Sequence, residues 1–230
     1  MVRTLKVNLL LLALLATSVV SAQIGIGAGP SFMMEFGNNK PFYGLHLKVE
    51  KPRNNDVVFY GRATYLFNQN KSTSLTPLTA VANDPNAPLS SISVDFNQLS
   101  SIGYFMIDGG TRYYLINGFD DGWSLYGGTN LGLIVNMVKY GYEFGEYDSQ
   151  NYTLYAGDFA ETRDKGSIIR LAVGFTGGVK YTKPGLGTFY LDVNPHLTIF
   201  GIPSNQNIPG SIYRPVFFNF NIGYRRELYR

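Results

Sequence analysis

The segment Val216-Phe217-Phe218-Asn219-Phe220-Asn221-Ile222-Gly223-Tyr224-Arg225 constrains the fold more than any other. Successive side chains of a strand point to opposite faces. Val216, Phe218, Phe220, Ile222 and Tyr224 therefore share one face, and Phe217, Asn219, Asn221, Gly223 and Arg225 share the other. The same apolar and polar alternation recurs along the chain and predicts eight strands. The first is Ile24–Phe36, with Ile26, Phe32 and Met34 against Gly25, Gly27, Ser31 and Glu35. The second is Phe42–Val49, with Tyr43, Leu45, Leu47 and Val49 against Gly44, His46 and Lys48. The third is Val57–Asn68, the fourth Ile102–Ile116, the fifth Trp123–Val138, the sixth Ser167–Tyr181, the seventh Thr188–Phe200 and the eighth the segment above.

The connections fall into two kinds. Lys51–Asn55, Asn117–Gly122 and Lys183–Gly187 are tight turns rich in Pro, Gly, Asn and Asp. Gln69–Ser101, Lys139–Gly166 and Gly201–Arg214 are long, and Gly37–Pro41 is short. Short turns alternating with long loops describe an all-β, eight-stranded antiparallel up-and-down transmembrane barrel, with periplasmic turns and extracellular loops. A closed ring leaves no unpaired backbone facing lipid.

Alternation alone does not say which face is inside, and a soluble eight-stranded barrel would bury the apolar set. Composition favours the membrane. Charged residues make up 15% of the chain, against about 25% in soluble domains. The polar face is rich in Gly, which suits a narrow lumen. The apolar face carries aromatics near strand ends: Tyr43, Phe59, Phe67, Tyr113, Trp123, Tyr181, Phe189 and Tyr224, positioned as interfacial girdles. The net charge of +3 is scattered, so nucleic acid is not an expected partner. With no Cys, the chain has no disulfide, thiolate metal site or cysteine-linked lipid anchor.

Residues 1–22 read as a secretory signal. Arg3 and Lys6 precede an apolar run from Val7 to Val20, and Val20-Ser21-Ala22 is a small-residue cleavage site. That run is roughly 14 residues, short of the ~20 of a spanning helix. Residues 23–230 are then the barrel domain. Its expected location is the outer membrane of a Gram-negative bacterium, reached by the general secretory route.

The signal ending Ser21-Ala22-Gln23, the glycine-rich Gly25-Ile26-Gly27-Ala28-Gly29 and the closing Phe220-Asn221-Ile222-Gly223-Tyr224-Arg225 carry a family likeness. Through them the chain resembles the small outer-membrane barrels of OmpA and OmpX type, and among these the PorT-like barrels. The resemblance covers essentially the mature chain. It implies outer-membrane lipid, lipopolysaccharide, the barrel-insertion machinery and other envelope proteins as partners. Many such barrels end on an aromatic residue that the insertion machinery reads; here Arg230 follows Tyr229.

Parity places Glu35, His46, Lys48, Arg62, Asp108, Arg112, Arg170, Lys180, Asp192, His196 and Arg225 in the lumen. One reading is a proton pathway or selectivity constriction. The other is a network of ion pairs filling an interior just wide enough for side chains, and it is the reading adopted. His46 and His196 have no Ser or Asp at a telling spacing, and Gly25–Gly29 lacks the spacing and helix of a nucleotide-binding loop. Nothing in the chain calls for a metal or an organic cofactor. Among the long connections, Tyr142, Phe144, Tyr147, Tyr152 and Tyr155 alternate with acids and are candidate contact residues; the same stretch reads equally as a hairpin continuing the fifth and sixth strands above the membrane, and both readings can hold. Three roles are expected in descending order: a non-enzymatic scaffold displaying loops, a PorT-like accessory subunit of a secretion or gliding machine, and a lipid A-modifying enzyme.

Overall fold

A computed structural model describes residues 24–36, 40–85, 88–119, 122–154, 164–204 and 214–228. Its strands are β1 (Gly25–Glu35), β2 (Phe42–Pro52), β3 (Val57–Ser74), β4 (Leu78–Ala82), β5 (Ser91–Val94), β6 (Phe96–Ile116), β7 (Trp123–Phe144), β8 (Tyr152–Leu154), β9 (Asp164–Lys183), β10 (Gly187–Pro203) and β11 (Val216–Glu227). Eight of them close into an antiparallel barrel in the order β1-β11-β10-β9-β7-β6-β3-β2. The other three form a small sheet, β5-β4-β8. The signal segment, Tyr155 and the last two residues lie outside the described residues.

The ring closes between the two ends of the chain, where Ala28 faces Tyr224 and Phe32 faces Phe220. Register fixes the tilt. The row of facing residues runs Trp123, Tyr181, Phe189, Tyr224, Ala28, Leu47, Ala63, Ile107, Leu133. One circuit thus begins at Trp123 and returns to the same strand ten residues on, at Leu133. Strand number and this stagger together fix how far the strands lean and how wide the lumen is.

The wall carries its apolar face outward. Tyr43, Leu45, Leu47, Phe59, Phe67, Ile107, Tyr113, Trp123, Leu131, Ile169, Phe175 and Phe189 are all exposed. At one end Trp123 packs against Tyr181 with ring centroids 5.1 Å apart, and Phe189 against Tyr224 at 5.2 Å. These four consecutive facing positions make a continuous aromatic row. A soluble protein seldom exposes contiguous apolar patches beyond a few hundred Å². This belt instead runs around the ring, as a hydrocarbon environment requires.

Two expectations need correction. Ile24, which shares the parity of Ile26 at the start of the predicted first strand and so should face outward, is buried. More consequentially, much of the two long connections is not loop. β3 continues to Ser74, β6 begins at Phe96 and β7 runs to Phe144, so both ends of Gln69–Ser101 and the first six residues of Lys139–Gly166 are paired strand. Beyond the apolar belt the outward face no longer needs to be greasy, so alternation disappears while backbone pairing persists. A bulge between Leu66 and Gln69 shifts the parity of β3 where this polar extension begins.

Candidate functional site

All eleven lumen candidates are buried inside the barrel. They are organised by two carboxylates. Asp192, on β10, accepts from Arg112 Nη2 at 2.7 Å and Arg62 Nη1 at 3.5 Å, and lies 3.4 Å from Lys48 Nζ. The Tyr126 hydroxyl donates to its other oxygen. Glu50, on β2, accepts from Arg112 and, at 2.6 Å, from Arg225 Nη1, with Lys48 Nζ at 3.1 Å. Arg112 and Lys48 therefore tie the two hubs together. Asp108 receives Arg62 bidentately at 2.8 and 3.0 Å, the geometry the planar guanidinium favours.

Glu50 was not among the residues singled out from sequence. Its parity with His46 and Lys48 was the available signal. Ending the strand at Val49, ahead of Lys51-Pro52, concealed it; β2 runs to Pro52.

Aromatic rings complete the charge layer. Arg112 lies 4.0 Å from the Tyr60 ring centroid, Lys48 Nζ 3.1 Å from that of Tyr190, and Arg225 3.9 Å from that of Phe119. Phe119 belongs to the turn after β6 and folds into the barrel mouth, 2% exposed. Asn55 holds its backbone N–H, and Lys180 donates to its carbonyl. With Val58, Tyr114 and Tyr126 it caps that end of the lumen.

Past the charge layer, toward the long-strand end, the lumen holds an apolar cluster. Met33, Phe42, Leu66, Met106, Ile134, Ala172 and Phe217 pack with Tyr104 into one buried cluster. Beyond it, Glu35 accepts from Tyr104 at 2.7 Å and lies 3.8 Å from Arg170, whose Nε donates to Asn136 at 2.9 Å. The lumen is thus a stack of aromatic cap, ion-pair layer and apolar stopper. The sequence signal for the stopper was the parity of Met106 with Tyr104 on β6.

The two histidines have separate surroundings. Ser31 Oγ stands 2.8 Å from His46 Nδ1 and donates to Asn221 at 2.6 Å, while His46 Nε2 meets the Tyr190 hydroxyl at 2.6 Å. A Ser–His contact exists that sequence spacing did not show. Its third member is a phenol rather than a carboxylate, and Ser31 is 2% exposed, so the geometry of a hydrolytic triad is incomplete. His196 stacks on Phe217 with centroids 4.8 Å apart, and its Nδ1 is 3.0 Å from the Asn194 carbonyl. Among the described residues no group of three His, Asp or Glu is arranged to hold a metal ion.

The girdle candidates Tyr43, Phe59, Phe67, Tyr113, Trp123, Tyr181 and Phe189 are exposed on the wall, and Tyr224 is half-buried. Tyr142 and Phe144 sit on β7, where the strand continues above the belt, and both stack on Phe96. Tyr152 opens β8, and Tyr147 is half-buried in the preceding turn. In that turn Asp148 accepts from Asn151 Nδ2 at 2.7 Å and from the Gln150 N–H at 3.0 Å, which holds its carboxyl below its usual pKa. The turn delivers β8 to β4, where Thr153 faces Val81.

No family model matches the chain, and no curated protein matches it. Among solved structures it is similar to Ail, the attachment invasion locus protein of Yersinia pestis, at 18% identity and TM-score 0.41 over 89% of this chain and 97% of that one. It is also similar to Neisserial surface protein A, at 12% identity and TM-score 0.43 over 90% and 96%. A third is the outer membrane protein OprG from Pseudomonas aeruginosa, at 12% identity and TM-score 0.44 over 91% and 97%.

Proposed function

We propose that this chain is a non-enzymatic outer-membrane barrel whose interior is a structural plug. Its function lies in the strand-built platform that β3, β6 and β7 raise above the membrane with the β5-β4-β8 sheet. One observation carries the reading: the lumen is filled by interlocked ion pairs and an apolar stopper, while the strands at one end run well past the apolar belt. A barrel that conducts or catalyses in its lumen needs a wetted path, and here charge layer and stopper occupy the cross-section in succession. Removing one partner of a buried ion pair costs about 3–5 kcal/mol, so a network of this density favours rigidity. The belt supports lipid outside, and the short turns at the Trp123 end support a periplasmic orientation for that end.

The test replaces residues 77–94, which carry β4 and β5, with a Gly-Gly link on the otherwise intact barrel. The shortened protein is expected to insert normally while cells bearing it lose surface attachment or envelope integrity. Unchanged attachment and integrity would overturn the platform reading. Stepwise conductance of the intact protein in planar bilayers would overturn the plug.

A further inference from the structure

Between the Asp192 hub and the stopper, the lumen wall carries buried polar atoms that no other group of the barrel satisfies. They are Asn130 Oδ1 on β7, Thr176 Oγ1 on β9, Asn194 Oδ1 and His196 Nε2 on β10, and the amides of Asn219 and Asn221 on β11. None of these atoms has a hydrogen-bond partner among the described residues; for Asn219 this holds at both ends of the amide, for Asn221 at Nδ2. The four strands are consecutive in the ring. Thr64 Oγ1 on β3 is a further such atom. Register gives the layer its two boundaries. Asn221 faces Asp192 of the charge layer. Asn219 faces Met33, Thr64 faces Met106 and His196 faces Phe217, all three in the stopper.

This layer also has room. Gly174 stands between Asn130 and His196 on adjacent strands, and Asn130 Oδ1 lies over it, 2.5 Å from where a Cβ would be. Two residues further along β7, a Cβ on Gly132 would keep 3.5 Å from Asp108 Cβ and 3.9 Å from His196 Nε2, so the space beside that nitrogen is open. His196 Nδ1 is 3.0 Å from the Asn194 carbonyl, which only accepts, so Nδ1 carries the hydrogen. In the neutral ring Nε2 is then an acceptor. The layer thus offers acceptors at His196, Asn130 and Asn194, a donor at Asn221, and hydroxyls that serve as either. A bare cation or anion answers only half of this set, and an apolar guest answers none of it. Leaving such groups dry is costly, and buried sites lined by them hold waters making about three hydrogen bonds each. Resting on the plug reading, which supplies the two seals, we infer that the barrel encloses an ordered water cluster bound by this layer, with one water on His196 Nε2 beside Gly132. The plug is dry at the stopper and hydrated beneath it.

The test uses the full mature protein in phospholipid bilayers, with both histidine rings labelled with nitrogen-15 and a gadolinium chelate in the bulk water. Solid-state NMR reads polarisation transferred from water protons to each ring. His46 is the internal control, because its two ring nitrogens meet Ser31 and Tyr190. A His46→Gln variant assigns the remaining signal to His196. Transfer to His196 Nε2 but not to His46, unchanged by the chelate, is the expected result. No transfer at His196 would overturn the water cluster. Transfer quenched by the chelate would show a lumen open to bulk water, which overturns the enclosure and the plug reading with it. A second measurement works by sign. Thr64→Val and Thr176→Val each exchange a hydroxyl for a methyl group of the same shape. In a hydrated layer each variant loses a hydrogen bond, and its unfolding equilibrium constant in urea titration rises about fivefold. In a dry layer each variant sheds an unpaired polar atom, so an unchanged or lowered constant would overturn the inference.

Discussion

Asp192 is where the energetics of this lumen are most concentrated. It is fully buried and shared by Arg62, Arg112, Lys48 and Tyr126. Asp192→Asn keeps shape and volume but removes the charge that compensates three buried cations. The expected loss is about 3–5 kcal/mol, read from urea unfolding of the vesicle-folded protein; a loss under about 1 kcal/mol would mean water already solvates the layer. Ser31→Ala should behave as an ordinary lost hydrogen bond, about 1 kcal/mol, because Ser31 only bridges His46 and Asn221. At this scale the sequence was informative through parity: all eleven polar candidates point inward. Parity could not say which carboxylate meets which guanidinium, because Arg112 and Glu50 lie on strands that never pair directly.

Elements were legible where an apolar face was required and obscure where it was not. The turn between β9 and β10 was readable from Lys183-Pro184-Gly185-Leu186-Gly187, and both glycines there have positive φ, 78° at Gly185 and 130° at Gly187. They are not equivalent. A Cβ on Gly185 meets nothing within 4 Å, whereas one on Gly187 would approach the Arg225 carbonyl oxygen to 2.7 Å. Gly185→Ala should therefore cost only the left-handed backbone penalty, about 1–2 kcal/mol. Gly187→Ala should cost more, as urea titration of the two variants side by side would show; equal losses would contradict the contact. The polar extensions of β3 and β6 were not legible, because Ser, Thr, Asn and Gln on both faces leave no period of two, whereas that of β7 keeps Tyr140, Tyr142 and Phe144 on one face and was readable as a continued strand. Their pairing shows only in the register, such as Ser72 opposite Leu99 opposite Gly141.

For the whole molecule, the order of the strands followed from the alternation of short and long connections, and closure from the need to leave no edge in lipid. The ten-residue stagger did not, since it depends on pairings as distant as Ala28 with Tyr224. The central claim is that the outer wall faces hydrocarbon. It is tested most directly at Leu131, which is 54% exposed midway up the wall and faces Gly109 and Val173. On a soluble barrel, an exposed Leu→Arg change is worth within about ±0.5 kcal/mol. At the middle of a bilayer, an outward Arg costs about 2–4 kcal/mol. The measurement is the unfolding free energy of Leu131→Arg against wild type in phospholipid vesicles. A loss of about 2–4 kcal/mol is the result this account predicts, and an unchanged or increased stability would contradict it.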